Sequence, residues 1–117
     1  QLPVNIAMPE ALTSLNQKVG DQMMTLVEAA NTLDICVVAS ASLLQGSLAT
    51  NLPVTLRQAI PDMPTDAARA LQFVRSTPGI ATALVGMGSP DHVTKNMELA
   101  HLPIMNEEQY HVLFGER

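Results

Sequence analysis

The segment Gly86-Met87-Gly88-Ser89-Pro90 has the residue types of a phosphate-binding turn. It follows an apolar run and opens a predicted helix, so the free N–H groups of the helix's first turn point out of the carboxyl end of a sheet. Glycine at 86 and 88 permits positive φ and lets a phosphate approach the backbone closely. Taken alone, the pattern is equally typical of an ordinary strand-to-helix turn. No Lys or Arg lies between Arg75 and Lys95 to strengthen it.

The other reactive side chains form no catalytic or metal-binding pattern. The three histidines, His92, His101 and His111, lie on different predicted elements with spacings that match no metal-ligand motif, so we expect no metal site. Ser40 and Ser42 lack the Gly-x-Ser-x-Gly turn of a hydrolase nucleophile. Hydrolytic chemistry is therefore disfavoured. Since the histidines form no metal-ligand pattern, we interpret His101 and His111 as surface or packing residues.

Two further residues are predicted to be structural. Tyr110 lies on a predicted terminal helix and is interpreted as a packing residue, not as a proton donor. Cys36 is the single cysteine, which excludes an internal disulfide. It lies in an apolar run with nothing basic nearby, so we predict a buried, unreactive thiol.

Three apolar runs are predicted as strands: Leu2 to Ala7, Ile35 to Ser40, and Ile80 to Val85. Amphipathic stretches separate them, and that alternation is typical of parallel strands connected by helices. The long connection over residues 42 to 64 is predicted to be either functional or poorly ordered, because such connections usually span about 2 to 6 residues.

Four helices are predicted from apolar spacing and from capping residues. They are an amphipathic helix over residues 21 to 33; one capped by Thr65 with Ala67, Ala70, Leu71 and Val74 inward; one capped by Ser89 with Val93, Met97 and Ala100 inward; and a short one opened by Asn106 carrying Tyr110, Leu113 and Phe114.

Composition limits the class of protein. The chain has 117 residues, 47% hydrophobic and 15% charged, which suits one globular domain. The net charge of −5 without a basic stripe disfavours nucleic acid as a partner. The longest apolar stretch, Ile35 to Leu44, is too short to cross a membrane, and no secretory signal is readable. The expected location is cytoplasmic.

The predicted architecture is incomplete. Three βα units fit the chain, whereas an eight-fold barrel of such units takes about 250 residues. The outer strands then present unpaired backbone groups, which favours self-association or pairing with another chain. A small open α/β sheet that is complete in itself is the alternative.

Four stretches together resemble the end of the aldo-keto reductase family. They begin at Gln1, Val38, Ala70 and Ala83, and they read Gln-Leu-Pro-Val-Asn, Val-Ala-Ser-Ala-Ser-Leu-Leu-Gln-Gly-Ser-Leu, Ala-Leu-Gln-Phe-Val-Arg-Ser-Thr-Pro-Gly and Ala-Leu-Val-Gly-Met-Gly-Ser-Pro-Asp-His-Val-x-x-Asn. The resemblance covers nearly the whole chain. It implies that residues 1–117 are a single partial domain, the last three βα units of a (β/α)₈ barrel that reduces carbonyls with NADPH or NADH.

The resemblance also implies a set of cofactor-binding residues. Gln1 matches a glutamine that contacts the nicotinamide carboxamide, and Ser40 occupies the position of an aromatic that stacks on the nicotinamide in many members. Leu43, Gly46 and Leu48 match the loop along the pyrophosphate. In the last loop, the matching residues are Gly86, Met87 and Gly88 at the adenosine phosphate, with His92 and Asn96 facing the ribose phosphate and adenine.

The departures from the family pattern matter as much as the matches. Many members have a basic residue at position 86 or 88 and Arg at position 92, where this chain has Gly and His, and Lys95 replaces a Glu. The resemblance therefore implies NADP or NAD without a preference. The family's catalytic Asp, Tyr, Lys and His come from earlier strands, so no catalytic residue is assigned here.

Two hypotheses follow. In the first, the chain is the C-terminal cofactor-binding portion of a reductase, inactive alone, whose partners are a nicotinamide dinucleotide and the missing N-terminal barrel portion. In the second, it is a free-standing, non-catalytic module that forms a homo-oligomer or binds a nucleotide weakly.

Overall fold

The chain folds as a mixed α/β structure built around a short parallel sheet. The computed structural model describes residues 1–113. Its elements in chain order are β1 (Leu2–Pro3), α1 (Glu10–Thr13), β2 (Gln17–Val19), β3 (Gln22–Met24), α2 (Leu26–Thr32), β4 (Val38–Ser40), α3 (Val54–Ala59), α4 (Asp66–Ser76), β5 (Thr82–Ala83), α5 (Pro90–Ala100) and α6 (Glu107–Val112). Phe114, predicted on the last helix, lies outside the described residues.

The three predicted strands form one sheet in the order β1-β4-β5, and both pairings are parallel. Leu2 lies opposite Ala39, and Ala39 lies opposite Ala83. The α/β class and the parallel sheet predicted from the sequence are thus confirmed. Among the described residues, β1 and β5 are paired on one side only, so both outer edges of the sheet are open.

The helix starts follow the predicted capping residues. The hydroxyls of Thr65 and Ser89 accept hydrogen bonds from the N–H groups of Ala68 and His92, and the Asn106 side chain caps α6 with Gln109 in a capping box. Each cap satisfies an N–H group that has no partner within its helix. The side-chain chemistry at these three positions therefore fixes where α4, α5 and α6 begin.

The predicted helix over residues 21 to 33 is wrong in its first turn. Residues 17–24 form an antiparallel hairpin of β2 with β3. Gly20, at φ 60°, supplies the left-handed backbone of the turn. A capping box then starts α2 after Thr25, whose hydroxyl accepts from the Glu28 N–H while the Glu28 carboxylate accepts from the Thr25 N–H.

Two burial predictions are also wrong. Cys36 is exposed, because it lies two residues before β4, at the amino end of the sheet, rather than within the strand. The predicted inward face of α5 is exposed as well: Val93 is 43% exposed, Met97 is 54% exposed, and Ala100 is also exposed. The buried residue of α5 is Leu99. The apolar stripe that we predicted to face the core is therefore largely exposed to solvent among the described residues.

The core lies where α4 and α6 cover the sheet. α4 is buried over most of its length, including the predicted Ala70, Leu71 and Val74. The buried cluster consists of Val4, Ala39, Ile60, Phe73, Val74, Met105 and Tyr110. This core joins residues in or next to β1, β4, α4 and α6, and α4 contributes Phe73 and Val74 to it.

An ion-pair network fixes the amino end of α4. The Asp66 carboxylate accepts hydrogen bonds from Arg57 at 3.0 Å, Arg69 at 2.6 Å and the Leu52 N–H at 3.1 Å. The Arg69 Nε also donates to the Ile60 carbonyl at 2.7 Å. These bonds tie α3 and the long connection over residues 42 to 64 to α4, so that connection is ordered rather than loose.

This network predicts a loss of stability in acid. The hydrogen bond from Arg57, together with the other donors, holds the pKa of Asp66 below its usual range. The unfolded carboxyl, with a pKa of about 4, binds its proton first, so the stabilisation is present above about pH 4 and is lost as the pH falls through the folded-state pKa.

We expect urea unfolding curves between pH 6 and pH 2 to show this acid-dependent component in the native chain. It should disappear in Asp66→Asn and shrink in Arg57→Gln, which removes the largest cause of the lowered pKa. An unchanged acid slope in Asp66→Asn would contradict the assignment.

Candidate functional site

A cavity of about 870 Å³ lies at the carboxyl ends of β4 and β5. In open α/β sheets this end of the strands is where ligands bind. Its walls are the turn over residues 41–49, the amino end of α4, residues 84–86 after β5, and one face of α5. Small and apolar side chains form most of the surface, and polar groups stand on the α5 side.

The turn after β4 is held in an unusual backbone conformation. Ala41, Leu44 and Gln45 have positive φ, and Gly46 follows at φ 86°. Left-handed backbone at non-glycine residues costs about 1–3 kcal/mol each and persists where the surroundings determine it. One such constraint is Ser42, whose buried hydroxyl donates to the Leu84 carbonyl at 2.7 Å and joins the two strand ends. This strained turn forms one wall of the cavity.

The glycine turn after β5 leaves open space beside the cavity. Neither Gly86 nor Gly88 has positive φ, so the left-handed backbone that glycine permits is not used there. A Cβ built on either residue meets no atom of the described chain within 4 Å. The fold itself therefore does not require glycine at these positions. A group that approaches the backbone at Gly86 or Gly88 would therefore meet no obstruction from the described chain.

The polar wall of the cavity is one face of α5. His92, Lys95, Asn96 and Glu98 line it. The half-buried Asn96 amide has no hydrogen-bond partner among residues 1–113, so its donors and acceptor are available to a ligand. The Lys95 ammonium, by contrast, already has a partner, because it forms an ion pair with Asp91 at 2.9 Å.

The structure brings half of the predicted cofactor residues together. Leu43, Gly46, Gly86, His92 and Asn96 all line the cavity. They come from two different loops and one helix. Leu43 and Asn96, the two that are farthest apart in the sequence, are separated by 53 positions, so the fold brings them together.

The other predicted residues lie outside the cavity lining. Gln1 is exposed at the amino end of β1, and Ser40 is half-buried in β4 opposite Pro3. Leu48 closes the turn by donating its N–H to the Leu43 carbonyl at 3.0 Å. Met87 and Gly88 are exposed beyond the cavity edge, next to the start of α5.

Sequence reasoning missed several cavity residues. Gln45 and Glu98 present polar side chains to the cavity, and Pro64 and Thr65 bring the amino end of α4 to it. The spacing of Lys95 and Glu98 with His92 at intervals of three, along one helix face, was a readable signal. The contribution of α4 was not readable, because it depends on how the long connection folds back.

Tyr110 is a packing residue, as predicted. It is 4% exposed, its ring stacks on Phe73 with centroids 5.4 Å apart, and its hydroxyl shares a 2.8 Å hydrogen bond with Thr77. Burial raises the pKa of Tyr110, which holds the proton on the phenol. It is not part of the cavity lining, so it does not serve as a proton donor there.

The described residues contain neither a metal-ligand cluster nor a membrane span. No group of three or more His, Cys, Asp or Glu within residues 1–113 is placed to hold a metal ion. None of the helices over the same range is long and apolar enough to cross a membrane.

The fold described above is similar to part of a solved aldo-keto reductase. The chain superposes on the aldo-keto reductase AKR11C1 from Bacillus halodurans in its holo form with a TM-score of 0.71 and 16% sequence identity. The apo form of that protein gives a TM-score of 0.68, also at 16% identity. Each match covers 97% of this chain and 41% of the other.

This similarity confirms the sequence resemblance at the level of the fold. The chain spans about two fifths of the length of the reductase that it matches. No protein-family model matches the sequence, and no curated protein matches it either. The likeness therefore lies in the arrangement of the chain rather than in residue identity.

Proposed function

We propose that this chain is the C-terminal, cofactor-binding portion of an NAD(P)H-dependent aldo-keto reductase, comprising the last three βα units of a (β/α)₈ barrel over residues 1–117. The observation that carries the proposal is the cavity at the carboxyl ends of β4 and β5, where five residues implied by the family resemblance meet. The complete protein reduces a carbonyl compound by hydride transfer, and the proposed location is the cytoplasm.

The cavity has features that fit a dinucleotide. Its small apolar walls suit a planar base, and the unpartnered amide of Asn96 is placed to hydrogen-bond to one. The open space at Gly86 admits a phosphate to the backbone beside the capped start of α5. These features support Leu43, Gly46, Gly86, His92 and Asn96 as the residues that hold the cofactor.

The bound nicotinamide supplies the hydride, and this chain's role is to bind and orient the cofactor. The predicted contacts of Gln1 and Ser40 with the nicotinamide, and of Leu48, Met87 and Gly88 with the phosphates, remain part of the proposal. No residue of the chain is assigned a catalytic role. The proton donor and its partners belong to the remaining barrel strands, so this chain alone is proposed to be inactive.

One observation favours the second candidate, a non-catalytic module that associates through its open surface. The exposed apolar stripe of α5, Val93 with Met97 and Ala100, lies on the last βα unit, whose strand β5 forms an open sheet edge. A strand and helix supplied by another barrel portion, or by a second copy of this chain, would cover both. Light scattering on the purified chain distinguishes a monomer from a homo-oligomer.

Titration of the chain with NADH, followed by nucleotide fluorescence, tests the proposed cofactor function. We expect Gly86→Val to weaken binding by at least about tenfold, about 1.4 kcal/mol, because its side chain fills the space beside the backbone. The fold should tolerate the change, since a Cβ at Gly86 meets nothing and φ is not positive.

Ala81→Val is the matched control, because it adds bulk to an exposed residue at the opposite, amino end of β5. Its affinity for NADH should equal that of the native chain. No NADH binding by the native chain up to millimolar concentration, or equal binding by Gly86→Val, would count against the cofactor function.

A further inference from the structure

We infer that the cavity selects the unphosphorylated dinucleotide, NAD(H), and discriminates against the additional phosphate of NADP(H). The inference rests on the proposed function, and it concerns the charges that face the cavity. NAD(H) and NADP(H) differ only in one phosphate, so any preference between them reports how the site meets that extra negative charge.

The three arginines that the structure describes are all bonded to groups outside the cavity. Arg57 and Arg69 are bonded to Asp66, and Arg69 also donates to the Ile60 carbonyl. Arg75 donates to the carbonyls of Leu99 and Leu102. None of these arginines lines the cavity. They hold α4 to its neighbours, and moving one to meet a ligand would break those bonds.

Lys95 is the cation that does line the cavity, and it stands between two carboxylates. Asp91, Lys95 and Glu98 follow one another at intervals of four and three, so they share one face of α5. The Lys95 ammonium pairs with Asp91 at 2.9 Å, and Glu98 itself lines the cavity. Asp91 lies outside the cavity lining but neutralises the Lys95 ammonium, so the Glu98 carboxylate leaves this face with a net charge of −1. That charge is unfavourable for a phosphate beyond those that NAD(H) already carries.

The geometry assigns the discrimination chiefly to Glu98. No side chain of residues 1–113 forms a hydrogen bond or ion pair with its carboxylate, so none of the described residues neutralises it. Like charges held close together repel, and the repulsion is stronger beside a protein surface than in open water. The additional phosphate of NADP(H), bound beside Glu98, would meet that repulsion, and none of the described arginines lines the cavity to offset it.

Parallel fluorescence titrations with NADH and NADPH at low ionic strength test the inference. We expect NADH to bind about tenfold more tightly, with a smaller difference at high salt because the charges are screened. Glu98→Lys should strengthen NADPH binding and bring the two affinities together, while NADH binding changes less.

Glu107→Lys is the control, since it makes the same change in net charge at an exposed position on α6, outside the cavity. It should leave the ratio of the two affinities unaltered. Equal or tighter binding of NADPH by the native chain overturns the selectivity and leaves the cofactor function standing. An equal effect of both lysine variants also overturns it, because overall charge would then be the cause. Binding of neither nucleotide overturns both proposals.

Discussion

Replacing Phe73 by alanine is expected to lower the free energy of unfolding by about 3–5 kcal/mol. Phe73 is 4% exposed on α4, and its ring packs on Tyr110 within the cluster that joins the sheet to α4 and α6. Truncation removes the apolar contacts of the ring and leaves a cavity among Val4, Val74 and Tyr110. The whole stability of a small domain is about 5–15 kcal/mol, so the variant is expected to unfold near physiological temperature.

Urea and thermal unfolding followed by circular dichroism measure this effect. Phe73→Leu, which keeps much of the volume, should cost about 1 kcal/mol. Met97→Ala is the second comparison, because Met97 is 54% exposed and a surface truncation changes stability by about 0.5 kcal/mol or less. A loss in Met97→Ala as large as that in Phe73→Ala would mean that the α5 stripe is buried in an oligomer.

The parts of the fold that depend on local chemistry were predictable from the sequence. Thr65, Ser89 and Asn106 each cap a helix because a short polar side chain there satisfies a free N–H group. The apolar runs became parallel strands, although the strands are shorter than the runs. The hairpin at residues 17–24 had a local signal as well, since Gly20-Asp21 is a typical two-residue turn.

The parts that depend on distant neighbours were not predictable. A periodic apolar stripe indicates that a helix face is suited to burial, and it cannot say whether a covering element is present. That is why Met97 was predicted to be buried and is exposed. Cys36 shows the same limit, because an apolar run predicts a buried strand while the actual strand begins two residues later.

The candidate site also has parts that could be predicted from the sequence and parts that could not. The glycine turn and the α5 face were readable because their residues are close in sequence. The opposite wall of the cavity, at the amino end of α4, was not readable from the sequence. The bonds of Asp66 to Leu52 and Arg57 hold residues 52–66 folded back against α4, and this brings Thr65 to the cavity. Family resemblance supplied Leu43 and Gly46, which no local pattern marked as belonging to the same site.

The purified chain is expected to show no reduction of a reactive aldehyde by NADPH or NADH above the rate in buffer, even where the cofactor binds. Hydride transfer to a carbonyl needs a proton donor within hydrogen-bond reach of the carbonyl oxygen. Tyr110, the one tyrosine of the sequence, is packed on Phe73 and hydrogen-bonded to Thr77 in the core. It cannot reach the cavity without unfolding α6 from α4.

Absorbance at 340 nm, with the alcohol product measured separately, follows this reaction. The titratable side chains on the cavity, His92, Lys95 and Glu98, stand on the α5 face proposed to hold the adenosine end of the cofactor. A hydride leaves from the other end of a dinucleotide, so none of the three is placed to protonate the product. Aldehyde-dependent cofactor oxidation that His92→Gln abolishes would show instead that this face carries the chemistry, and the cofactor would then have to bind in the reverse direction.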